Sequence, residues 1–249
     1  MLDLLPPPPG LFSFLMANQD PKPIFTQDHA SAYDKRFAAL SPLRDALHLL
    51  IAALFTDLPE KARILCVGAG TGAELIFLAR KFPGWEFTAV EPSGPMLDVC
   101  RHKAEAEGIT ARCTFHEGYL DSLPAAEPFD AATSLLVSQF ILDPERRTEF
   151  FRGIATRLRP EGILASADLS SDTSSPVYQS LLGVWLKLMR ETDMTPEQVE
   201  GLREVYGRDV ALLPVDLTSA LIESGGLGKP ILFLQTGLIH AWYARKAAV

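Results

Sequence analysis

Gly68-Ala69-Gly70-Thr71-Gly72 follows directly on the apolar run Ile64-Leu65-Cys66-Val67. Glycines in such a place remove the side chains that would keep a ligand away from the main chain, and they can adopt the left-handed backbone a sharp turn needs. Glu91 closes a second apolar stretch about twenty residues further on, where a carboxylate can accept both hydroxyls of a ribose. The two features together suit a ligand built on adenosine. They leave its other half open, because Gly68, Gly70 and Ala73 also satisfy the looser fingerprint in which a helix N-terminus holds a pyrophosphate.

Other groups can carry chemistry near that loop. Asp168 ends a fifth apolar run, and ligands bind outside the carboxyl edge of the strands in open α/β sheets. It is the expected general base or amine-orienting acid. His240 alternates with Ile239 and Ala241 and is expected to face the same crevice, whereas His29, His48, His102 and His116 have less claim. Cys66, Cys100 and Cys113 lack metal-ligand spacing, so neither a disulfide nor a metal site is expected.

The elements that must position these residues follow from periodicity. Leu43, Leu47, Leu50, Ile51 and Leu54 form the stripe of a helix within residues 31 to 58. Strands are expected at 64–67, 86–90, 111–116, 129–137 and 163–167, most of them continuous apolar runs of the kind buried on both faces. Helices intervene. Thr71 and Glu74 are expected to form a capping box, Ser93 with Pro95 and Asp143 with Pro144 to open two more helices, and Pro160 to end the last of these. Strand and helix alternating in this way require a parallel, doubly wound sheet. Residues 174 to 224 read as a helical insertion, with a start at Thr195-Pro196 and Gln198, and 231–236 with 238–245 as a terminal antiparallel hairpin. Residues 1 to 24, with Pro6 to Pro9 in succession, read as a proline-rich tail before one domain spanning 25–249.

The totals narrow the partners. With 23 Lys+Arg against 31 Asp+Glu the net charge is −8, which argues against a nucleic-acid surface. Arg146, Arg147, Arg152, Arg157 and Arg159 are expected on a solvated helix face. The longest apolar run, Leu49 to Phe55, is too short for a membrane span and the N-terminus has no basic leader, so a soluble cytoplasmic protein is expected.

Five motifs in order resemble the class I S-adenosylmethionine-dependent methyltransferases, over about residues 30 to 246. They are the glycine loop with its preceding strand, Val90-Glu91-Pro92-Ser93-Gly94-Pro95-Met96-Leu97, Phe115-His116-Glu117-Gly118-Tyr119, Phe129-Asp130, and Leu158 to Leu164. The resemblance implies a seven-stranded, mainly parallel Rossmann-like sheet and S-adenosylmethionine as cofactor, leaving as S-adenosylhomocysteine. A dehydrogenase would need a second mononucleotide half, for which few residues remain. By that likeness Gly68, Ala69 and Gly70 pass under the methionine part, Glu91 and Pro92 hold the ribose, and Met96 covers the adenine. Tyr119 and Leu120 offer backbone groups to the adenine edge, Leu136 and Gln139 also contact the cofactor, and Tyr33 and Arg36 meet its carboxylate. Cys66 and Tyr119 stand where many relatives carry acids. Arg44, Ser138, Phe140, Arg190 and His240, with Asp168 and Ser170 beside them, are expected around a small-molecule acceptor. The stretch from Leu135 to Arg146 is similar to the branch that includes carboxy-S-adenosylmethionine synthase. A cofactor-binding module without activity of its own is the competing reading, and a homodimer is left open.

Overall fold

The computed structural model describes residue 30 and residues 33–35, 37–192 and 194–248. The proline-rich stretch 1–24 and Arg36 lie outside them.

Seven strands form one sheet in the order β3-β2-β1-β4-β5-β7-β6. They are β1 (Arg63–Val67), β2 (Glu86–Glu91), β3 (Cys113–Glu117), β4 (Phe129–Leu135), β5 (Leu158–Leu169), β6 (Ile231–Thr236) and β7 (Ile239–Arg245). The first five run parallel, and β7 and β6 close the sheet as an antiparallel hairpin. Strand order reverses between β1 and β4, so the crevice of this doubly wound sheet opens beyond Val67 and Leu135.

Helices cover both faces because each strand alternates two apolar sides. Ile64 and Cys66 face the core built with α1 (Ser41–Leu54), α2 (Ala73–Lys81) and α3 (Gly94–Ala106). Leu65 and Val67 face the opposite core, with α4 (Pro144–Arg157), α7 (Val215–Ser224) and Trp242. The insertion supplies α5 (Pro176–Met189) and α6 (Pro196–Arg208), which pack with Leu169, Phe37, Leu40 and Leu43 into a third cluster beyond the carboxyl end of β5.

Local signals set several boundaries. Ser93 and Asp143 accept from the backbone N–H three residues on, and Thr195 with Gln198 makes a full capping box. Three expectations need correction. Thr71 and Glu74 form no capping box, since α2 begins only at Ala73 behind a left-handed Gly72, and the Thr71 hydroxyl donates to Asp34 Oδ1 at 2.8 Å. β5 starts at Leu158 rather than 163, its Pro160 accommodated by a bend in which Glu161 takes φ 62°. Arg147 is no surface residue. It is completely buried and paired with Asp168 at 3.3 Å. Among the described residues no helix is long and apolar enough to cross a membrane, and no cluster could hold a metal ion.

Candidate active site

The glycine loop turns on three left-handed residues, Gly68 (φ 69°), Gly70 (φ 53°) and Gly72 (φ 78°). The N–H groups of Gly68 and Ala69 both donate to the Val90 carbonyl, at 2.8 and 3.1 Å, which ties the bend to the end of β2. Glu91 completes the joint. Its Oε2 accepts from the Gly70 N–H and its Oε1 from the Ser93 N–H, each at 2.9 Å, so one carboxylate spans both loops at this edge. Burial pushes the Glu91 carboxyl up, against the pull of those two amides.

A Cβ built on Gly68 would stand 2.4 Å from Val137 Cγ2, so neither loop can carry a bulkier turn there. On Gly70 the same Cβ would meet only Met96 Cε, at 3.7 Å, because the space above this residue opens into a cavity of about 320 Å³.

That cavity has a polar end and an apolar one. At the glycine loop it is lined by Tyr33, Asp34, Thr71 and Glu74. Asp34 is bridged to Lys103. Burial pushes the Glu74 carboxyl up to about 7, with the nearby Glu91 adding to the effect, and pushes the Tyr33 phenol up to about 12. At the other end Phe37, Leu40, Leu43, Phe140 and Leu169 meet Trp185, Met189, Met194, Leu202 and Tyr206. The Trp185 indole N–H donates to the Tyr206 hydroxyl at 2.7 Å, which satisfies two polar atoms inside this otherwise apolar wall. His48 lines the cavity between the two ends of α1, its ring 5.5 Å from that of Phe77. Burial and then Arg44 hold its imidazole down at about 4, so it is neutral at physiological pH.

Leu136 is held at φ 59° just beyond β4, with its N–H donating to the Ala167 carbonyl at 2.6 Å. A left-handed leucine costs on the order of 1–3 kcal/mol and persists where the surroundings impose it. The imposing structure lies behind the cavity wall. Asp168 accepts from the Ser138 hydroxyl at 2.6 Å, from the Gln139 N–H at 2.9 Å and from Arg147, while Gln139 Oε1 accepts from the Leu169 N–H.

The structure therefore sorts the expected residues into two groups. Tyr33, Arg44, Gly68, Ala69, Gly70, Met96, Leu136, Gln139 and Phe140 line the cavity. Glu91 stands directly behind the Gly70 amide, next to the half-buried Pro92, and Tyr119 lies on the nearby surface, 48% exposed. Leu120 turns its side chain into the core under α4. Asp168, expected as the base, is fully buried on the far side of the sheet and spends its oxygens on the loop after β4; neither it nor Ser138 reaches the cavity. His240 is its register partner on β7 and shares the face of Trp242, with Nδ1 against the Leu238 carbonyl at 3.1 Å, again away from the cavity. Arg190 is exposed at the carboxyl end of α5, outside the cavity. Glu74 and His48 were missed as site residues. The first was legible only as a helix-opening acid and the second only as one step off the Leu43-Leu47-Ile51 stripe.

A switch-point crevice behind a glycine bend, a carboxylate tying that bend to the next strand and an antiparallel closing hairpin together make a Rossmann-like methyltransferase fold. Residues 64–162 match the family model described as a methyltransferase domain. Erythromycin 3''-O-methyltransferase of Saccharopolyspora erythraea is 34% identical over 111 residues, 44% of this chain and 35% of that protein. Carboxy-S-adenosyl-L-methionine synthase of Campylobacter hominis is 32% identical over 146 residues, 58% of this chain and 60% of that protein. The chain thus spans less than two thirds of either relative. Among solved structures, mitomycin 7-O-methyltransferase superposes with TM-score 0.61 at 20% identity, over 88% of this chain and 58% of the other. An O-methyltransferase family 2 protein from Planctomyces limnophilus, in complex with apigenin, gives 0.59 at 17% identity, over 89% and 62%.

Proposed function

We propose that this chain transfers a methyl group from S-adenosylmethionine to a small, largely apolar acceptor. The observation that carries the proposal is the Glu91–Gly70 joint at the floor of a cavity whose other half is lined by apolar side chains. The residues fit that cofactor. Open space lies above Gly70, each Glu91 oxygen keeps a lone pair for a ribose hydroxyl, Met96 offers an adaptable thioether to a flat ring, and the acids at the loop suit a cationic ligand.

Bound there, S-adenosylmethionine supplies a methyl group on a sulfonium whose positive charge already activates it for displacement. The protein's task is then alignment and exclusion of water. Leu136 and Phe140, both on the cavity wall, are the side chains we assign to set the approach of the acceptor. His48, neutral and on the cavity wall, is the group we assign to accept a hydrogen bond from a hydroxyl acceptor and so orient it. The relatives named for erythromycin and mitomycin, and the structure holding apigenin, support an organic acceptor of this kind.

Calorimetric titration with S-adenosylhomocysteine should give saturable binding, and incubation with tritiated cofactor and a panel of hydroxylated aromatic compounds should label the acceptor. Absence of binding at millimolar ligand removes the proposal. The similarity to carboxy-S-adenosyl-L-methionine synthase supports a second reading, in which the cofactor itself is altered; a carboxyl's added mass on the recovered cofactor would establish it. The apolar wall favours the first.

A further inference from the structure

Glu74 is buried, 8% exposed, and faces the cavity from the first turn of α2. Apart from its own backbone N–H, its carboxyl has no hydrogen-bond or ion-pair partner among the described residues. A carboxyl taken out of water without a partner is costly, and such a group at a cavity wall implies a ligand that supplies the partner.

The surroundings specify the sign of that ligand's charge. Facing Glu74 are Tyr33 and Asp34 from the segment before α1, Cys66 from β1, Glu91 from β2, and Cys100 and Lys103 from α3. Lys103 is taken by Asp34, and Arg44, also on the cavity wall, by Asp45. Three acids at the loop thus share one cation. A ligand with a positive charge at this end restores the balance.

We propose that Glu74 is the counter-ion for the ammonium of the cofactor's amino-acid end, and that it passes a proton to solvent when the cofactor binds. The inference rests on the S-adenosylmethionine reading above. In balance, a neutral carboxylic acid and a free ammonium become a carboxylate–ammonium pair plus one proton in bulk water. Glu91, also pushed up by burial, faces the ribose in this reading, so methylthioadenosine separates its response from that of Glu74. Tyr33 and Cys100 are pushed up to about 12, the Cys66 thiol is raised well above its ordinary range, and His48 is held at about 4.

The test is calorimetry at pH 6 in two buffers of different ionisation enthalpy. With Glu74 titrating at about 7, S-adenosylmethionine and S-adenosylhomocysteine should each release about 0.9 proton, and affinity should fall about fivefold between pH 7 and pH 6. 5'-Methylthioadenosine, which lacks the amino-acid end, should release none. Glu74→Gln should bind more weakly at pH 7, without proton release or pH dependence. Binding of wild-type protein without release overturns the inference and leaves the methyltransferase reading standing. Release with methylthioadenosine, or release retained in Glu74→Gln, overturns it as well by placing the proton elsewhere. Failure of both amino-acid-bearing ligands to bind overturns the reading on which it rests. The wild-type proton count decides the matter even if the variant does not fold.

Discussion

At Gly70 one hydrogen atom keeps the cavity open to the main chain. The residue holds φ 53° and a Cβ would meet only Met96 Cε at 3.7 Å, so Gly70→Val is a substitution the fold can tolerate. It should cost about 1–3 kcal/mol of left-handed strain, read as a modest fall in Tm, while its methyl groups occupy ligand space and abolish measurable S-adenosylhomocysteine binding. Retained affinity would misplace the site. Glu74 carries the opposite trade. Its folded pKa, raised to about 7 against 4.5, means the folded state keeps a proton that the unfolded chain gives up. Stability must therefore decline as pH rises from 4.5 to 7 and stay lowered above that window. Glu74→Gln should accordingly stabilise the ligand-free protein at pH 8, by about 3 kcal/mol, and change little at pH 4.5. Urea unfolding at both pH values measures the difference.

Between elements, the decisive contact is the buried Arg147–Asp168 pair, which joins α4 to the end of β5 and to the loop at 138–140. Arg147 also donates to the Ala211 carbonyl at 3.1 Å, reaching the segment after α6. Removing one partner leaves an uncompensated charge in a site closed to water, so Arg147→Met should cost about 3–5 kcal/mol in chemical denaturation. The double variant Arg147→Met with Asp168→Leu should recover much of that loss, since both charges are then gone. A cost for the double variant equal to that of the single one would mean that packing, not charge, holds this joint. Helix periodicity marked Arg147 as one of four arginines on α4 and could not single it out, because its partner lies 21 residues away on a strand.

On the scale of the whole molecule, α5 and α6 decide what the cavity accepts, since Trp185, Met189, Leu202 and Tyr206 all come from them. Leu202→Trp should fill the apolar end and suppress methyl transfer to bulky acceptors at least tenfold, while S-adenosylhomocysteine affinity stays within about twofold of wild type. Loss of both would show that the two ends are not separable. Much of this architecture could be read from the chain before any coordinates. Short apolar runs punctuated by glycine, serine and proline set the seven strands and most helix starts, because those choices depend on neighbours a few residues apart. The glycine bend and Glu91 were legible for the same reason, each fixed by its place on a strand end. Which residues would share the cavity was not. Glu74 and His48, Asp34 and Tyr206 come from separated segments and meet only once the sheet has brought their helices to one edge. Asp168 and His240 looked available because alternation along a strand names two faces but not which one holds the ligand. Local stereochemistry is written in sequence; the sharing of a cavity, and the protonation of an acid within it, belong to long-range packing that excludes water.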